Sequence, residues 1–201
     1  MSNQPTPSDP TTQPGQPRIA GLEAMVLAAG AKGPAPVERW NPPYCGDIGM
    51  AIRSDGVWMY QGSPIGRMPL VKLFANVLRR DEDGKHYLVT PVEMVDVAVA
   101  DAPFLAVEME AQGDGAAQVL TFRTNVDDII VCDAAHGLRF ETEAAGGGLK
   151  PYLRVRGRLD ALMTRALYYD LVELAVEDEA TGALAVWSSG SRFPLQASVN
   201  S

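Results

Sequence analysis

Apolar residues recur at i, i+3, i+4, i+7 and i+8 through "PLVKLFANVL", as Leu70, Leu73, Phe74, Val77 and Leu78, and this spacing predicts an amphipathic helix over residues 67–79. Pro69 suits its first turn, where the missing N–H has no helical acceptor. Arg79 and Arg80 would then sit at the negative end of the helix dipole, with Gly84 free to turn the chain. The same spacing returns in "TRALYYDLVELA" and predicts a second helix over residues 160–175. Elsewhere the pattern is short and strand-like. "IGMAIRSDGVWMYQG" reads as a hairpin turning at Asp55-Gly56, preceded by an extended lead-in over residues 35–47. "HYLVTPVEMVDVAVAD" supplies one or two strands broken near Pro91. "FLAVEME", "QVLTFRT" and "IIVCD" predict a meander; "LRFETE" and "PYLRVR" flank a glycine turn, and "ALAVWSSG" a final strand.

The two helical stretches align when 98 is added to the number. Arg67 falls on Arg165, Leu73 on Leu171, Phe74 on Val172, Gly84 on Gly182 and Thr90 on Ser188. Two amphipathic helices with acidic turns can resemble one another by periodicity alone; the other reading is an internal duplication. The second reading gives an α+β chain of two small domains with a repeated strands-helix-strand motif. Residues 1–36 are then a disordered tail and short helix, 37–103 an N-terminal α+β domain, and 104–201 a β-rich C-terminal domain with one helix. A duplication creates a groove between its halves, where small ligands bind.

Charge and composition narrow the partners. With 17 Lys and Arg against 25 Asp and Glu, the net charge of -8 repels a nucleic acid polymer. Residues 1–18, rich in Pro, Gln, Ser and Thr, hold too little apolar surface to order. The run "IAGLEAMVLAAGA" at 19–31 is too short to span a membrane and lies behind eighteen polar residues, so it reads as an amphipathic helix rather than a signal peptide. Two distant cysteines, Cys45 and Cys132, with no ligand-spaced histidine, suit a reducing cytoplasm and predict no metal site. No glycine-rich phosphate loop, nucleophile elbow or other catalytic motif is present, and no cofactor is expected.

The candidate chemistry is arginine. Arg154 and Arg156, two apart in a strand, would share one face, and Arg158 and Arg165 follow closely. Guanidinium groups bind phosphate bidentately, although the same residues also suit surface ion pairs. At the junction, Pro103 holds Ala102 extended, so that Asp101 could meet a ribose and Phe104 a ring, or Asp101 could cap a turn and Phe104 fill a core. A site drawn from both halves comprises Arg67, Asp101, Phe104, Tyr152, Arg156 and Arg165.

The segments "DGVWMYQGSPIGRMPLVKLFANVL", "YLVTPVE", "VADAPF", "PYLRVRGRLDALMTRALYYDLVE" and "SSG" resemble the proteobacterial domain-of-unknown-function family 1285 over residues 40–195. The resemblance implies two small domains with a repeated motif, the second superficially similar to pleckstrin-homology folds. It also implies a nucleotide-like ligand and a role in signal transduction. The expectation is therefore a cytoplasmic, non-catalytic sensor or adaptor that binds a small anionic ligand between its domains. The alternatives are a protein-interaction module with a protein partner and no small ligand, or an enzyme without a recognisable motif.

Overall fold

The computed structural model describes residues 19–28, 35–143, 146–177 and 182–197, so the expected disorder of residues 1–18 lies outside the described residues. After helix α1 (Ile19–Ala28), the N-terminal domain runs β1 (Tyr44–Ile52), β2 (Trp58–Tyr60), β3 (Ser63–Pro64), α2 (Met68–Asn76), β4 (Leu78–Arg80), β5 (His86–Val89) and β6 (Met94–Val99). Its strands form one sheet in the order β3-β2-β1-β6-β5-β4, with only β1 and β6 parallel. The C-terminal domain runs β7 (Phe104–Gln112), β8 (Val119–Thr124), β9 (Ile129–Val131), β10 (Leu138–Thr142), β11 (Leu149–Arg156) and β12 (Leu159–Met163). Its order, β10-β11-β12-β7-β8-β9, again joins two antiparallel meanders through a parallel pairing of first strand with last. Helix α3 (Arg165–Glu173) follows, and then a separate three-stranded sheet of β13 (Val176–Glu177), β14 (Leu184–Ser188) and β15 (Ser191–Pro194). The architecture is α+β and mostly strand.

Several expected boundaries shift for visible reasons. Helix α2 stops at Asn76, and Leu78, Arg79 and Arg80 become β4 because they pair with Leu88, Tyr87 and His86 across the turn that Gly84 closes. Val77 and Leu78 remain buried, so the apolar spacing was satisfied by a helix and then a strand. Arg79 does not serve the helix dipole. Its buried guanidinium binds both oxygens of Asp81 and donates to the carbonyls of Val37, at 3.0 Å, and Trp40, at 2.8 Å. That clamp fixes the 3-10 turn Val37–Arg39 against the sheet. Residues 159–163 are strand β12, not the start of α3. Thr164 caps that helix, its hydroxyl accepting from Leu167 N. The lead-in expected to run to residue 47 pairs earlier, as β1 from Tyr44, with two irregularities against β6.

One apolar cluster runs through both domains. Trp58 stacks on Phe74 at 6.4 Å in the first, while Phe104, Phe122 and Phe140 are sealed in the second. The expected Asp-Gly turn meets the other domain closely: a Cβ on Gly56, at φ +78°, would lie 2.7 Å from the Asn125 amide nitrogen and 3.1 Å from Leu105. Beside it, Lys72 pairs with Asp127, and Arg156 reaches from β11 to the Ala75 carbonyl of α2. Among the described residues no helix is long and apolar enough to cross a membrane.

Candidate functional site

A cleft of about 350 Å³ opens where the two domains meet. Its floor is one face of β10-β11-β12. Alternation along β11 puts Tyr152 and Arg154 on that face, and the register sets Arg139 opposite Tyr152 and Asp160 opposite Arg154. The junction 101–103 forms one wall. The other comes from the N-terminal domain, where Arg80 and His86 are directly paired on β4 and β5. Arg158 stands beside them on the tight turn into β12, which Gly157 makes possible at φ +48°.

The floor is a charged network. Asp160, 6% exposed, accepts from Arg154 Nε at 2.5 Å and from Arg139 at 3.0 Å, so its buried charge is compensated twice. Arg139 also pairs with Glu141 and lies over the Tyr152 ring, 4.3 Å from its centroid. Tyr152 donates its hydroxyl to Asp101 at 2.7 Å, and Lys150 takes the other oxygen of that carboxylate. Burial, reinforced by the bond to Asp101, pushes the Tyr152 phenol up to about 12. His86 moves the other way: burial first, then the positive charge of Arg80, lower its pKa to about 4 despite the opposing pull of Asp160. The imidazole is neutral at neutral pH. The lining thus holds four arginines against three carboxylates in a chain of net charge -8. Behind His86 a second cavity of about 380 Å³ is bordered by Asp47 and Asp96, the latter accepting from the Tyr44 hydroxyl at 2.6 Å. Among the described residues no group of three or more His, Cys, Asp or Glu side chains could hold a metal ion.

Of the six residues expected to form one site, the cleft contains Asp101 and Tyr152. Phe104 is fully buried in β7 with the Arg156 guanidinium 5.1 Å from its ring centroid, so that face is not open to stacking. Arg156 donates to Asp128 at 2.7 Å and to the Ala75 carbonyl at 2.6 Å, joining the domains. The irregular pairing between Arg154 and Arg156 separates their contacts, which the regular two-residue period did not anticipate. Arg67 lies at the start of α2 against Glu23 of α1, 3.4 Å away. Arg165 begins α3 and borders a different, smaller cavity with Glu143 and Tyr168. The six residues therefore do not share one cavity. Arg80, His86, Arg139 and Asp160 take the places expected of them; only the alternation of charged and apolar residues in "LRFETE" and "PYLRVR" signalled part of that face.

Comparison with known proteins agrees with this architecture. Residues 35–102 match the family described as "Domain of unknown function (DUF1285), N-terminal domain", and residues 103–195 match its C-terminal counterpart, "Protein of unknown function (DUF1285), C-terminal domain". Among curated proteins none matches the chain. A crystal structure of a DUF1285 family protein from Silicibacter pomeroyi DSS-3 is 47% identical, with a TM-score of 0.81, over 88% of this chain and 95% of that one. A second, from Shewanella baltica OS155, is 28% identical with a TM-score of 0.50, over 63% of this chain and 91% of that one. Matched in both halves by the family's two domains, and along most of its length by a solved member, this chain belongs to the DUF1285 family.

Proposed function

We propose that this protein is a cytoplasmic, non-catalytic sensor or adaptor that binds a small anionic ligand in the cleft between its two domains. The observation that carries the reading is the convergence of Arg80, Arg139, Arg154 and Arg158, from both domains, on one cavity of an otherwise acidic chain. Within the cleft, Tyr152 donates its hydroxyl to Asp101 and burial raises its pKa, which suits a structural group rather than a nucleophile. A nucleotide-like ligand and a role in signal transduction are what the family resemblance adds. The reading includes the repeated strands-helix-strand motif. Gly84 and Gly182 both turn at positive φ, and the pairing of β5 with β6 has the same offset as that of β14 with β15. The test is thermal unfolding with inorganic phosphate, pyrophosphate or AMP. A ligand that binds only the folded state raises Tm as its concentration passes Kd. The shift should appear in the natural protein and be lost in Arg158→Ala and Arg80→Ala; no shift, or one the variants keep, overturns the proposal.

A second reading, an interaction module with a protein partner and a superficially pleckstrin-homology-like C-terminal domain, draws on one observation. The edge strand β9 exposes Ile129 and Val131, at 62% and 44%.

A further inference from the structure

The cleft holds acceptors as well as donors, and the pattern of those still free narrows the ligand. Arg80 engages only Nε, donated to the Gly84 carbonyl at 3.2 Å, and has no carboxylate partner among the described residues. Arg158 gives one nitrogen to Glu82, an exposed side chain on the turn between β4 and β5. Arg154 is held through Nε and one terminal nitrogen, by Asp160 and the Gly157 carbonyl, which leaves the other terminal nitrogen free. Three guanidinium groups with unused N–H donors therefore border one cavity, a set that matches the oxygens of a phosphate.

Glu141 and Asp101 border the same cavity, with side chains 52% and 18% exposed. Carboxylates so placed repel a second anionic group, yet they accept hydrogen bonds from hydroxyls. They are out of place in a site for a simple polyanion and in place beside a polyol. Aromatic stacking in the lining is left to the His86 ring. Arg139 lies over the Tyr152 ring and Arg156 over Phe104, and only Ala102 and Pro103 in the lining lack a polar side chain. A nucleobase would find little apolar surface here.

We infer that the cleft takes a compact phosphorylated polyol or sugar, its phosphate held by Arg80, Arg154 and Arg158 and a hydroxyl by the Glu141 carboxylate, of which Arg139 takes only one oxygen, rather than a nucleotide. This rests on the anion-binding reading above and adds to it the class of ligand. The cleft volume of about 350 Å³ accommodates such a molecule. Because the arginines come from both domains, the bound phosphate bridges them.

Titration calorimetry on the full chain separates the possibilities, with inorganic phosphate, glycerol 3-phosphate, ribose 5-phosphate, glucose 6-phosphate and AMP as probes. At least one of the three hydroxylated phosphates should bind about tenfold more tightly than inorganic phosphate, the gain of one or two well-made hydrogen bonds. AMP should bind no more tightly than ribose 5-phosphate. Glu141→Gln should remove most of the gain over inorganic phosphate, while inorganic phosphate itself binds somewhat more tightly, because the variant removes a repelling carboxylate and frees Arg139. Equal binding of inorganic phosphate and all three hydroxylated phosphates, or a gain that Glu141→Gln leaves intact, overturns the polyol inference while anion binding stands. AMP binding about tenfold more tightly than ribose 5-phosphate overturns it in favour of a nucleotide. No binding of any probe overturns both readings.

Discussion

Replacing Arg156 should weaken the whole fold rather than a ligand site. Its guanidinium donates to Asp128 at 2.7 Å and to the Ala75 carbonyl at 2.6 Å, and it lies 5.1 Å from the centroid of Phe104. Asp128 is in the turn after β8, whereas Ala75 is in α2, so the side chain ties the C-terminal domain to the N-terminal one. A hydrogen bond to a charged group contributes about 1.5–3 kcal/mol, and an abandoned acceptor costs about 1–3 kcal/mol. The cation–π contact adds about 0.5–2 kcal/mol. These contributions overlap, and Arg156 and Asp128 retain 21% and 27% of their side-chain exposure, so solvent screening brings the expected loss for Arg156→Ala to about 2–4 kcal/mol. Arg156→Lys should recover part of it, because an ammonium cannot serve both acceptors in the same geometry. Urea unfolding monitored by tryptophan fluorescence and by circular dichroism measures the loss and shows whether the domains still unfold together. A loss below about 0.5 kcal/mol, within the range of an ordinary surface substitution, would refute the reasoning.

Arg79→Ala should be the more damaging change, about 3–5 kcal/mol, because it strands Asp81 and the carbonyls of Val37 and Trp40 around a buried site; a fall in Tm no larger than for a surface variant would contradict this. Glu93 is buried with Oε1 lacking a partner, and burial raises its pKa, so the stability it contributes is full below the unfolded carboxyl pKa and is lost as pH rises through the folded one. Glu93→Gln should therefore be more stable than the natural protein at pH 7 and indistinguishable from it near pH 4, and equal Tm values at pH 7 would count against it. Glu82→Gln frees Arg158 from its carboxylate and should tighten phosphate binding about two- to fivefold, within the small energy of an exposed ion pair; weaker binding in calorimetry would show that Glu82 positions Arg158 instead.

How much of this was legible beforehand differs by level. The strands and both main helices were visible because their apolar positions keep a helical or two-residue period, and Asp55-Gly56 and Gly84 marked turns by their own chemistry. The helix ends were not. Val77 and Leu78 continue the helical spacing, and only pairing with β5, a tertiary fact, turns Leu78 into a strand. For the same reason Arg80 read as a helix end when it is a cleft wall, and His86 stood without a partner until β4 was beside it. Arg67 and Arg165 share a place at the start of their helices, but neither borders the cleft. Asp101 and Tyr152 do border the cleft, the first at the junction where the halves meet and the second on β11. Phe104 was assigned its ligand role against the ordinary tendency of phenylalanine to be buried, and it is buried.

The most direct test of the cleft as an anion site is the titration of the His86 ring, followed by NMR with and without inorganic phosphate and distinguished from the only other histidine by a His136→Ala variant. In the free protein His86 should titrate near pH 4, because burial and Arg80 oppose its charge. A phosphate held between Arg80 and Arg158 offsets that positive field and accepts from the protonated ring, so at saturating phosphate the midpoint should rise toward the ordinary histidine value, and the rise should disappear in Arg158→Ala. A His86 midpoint that stays near 4 at every phosphate concentration would contradict the account.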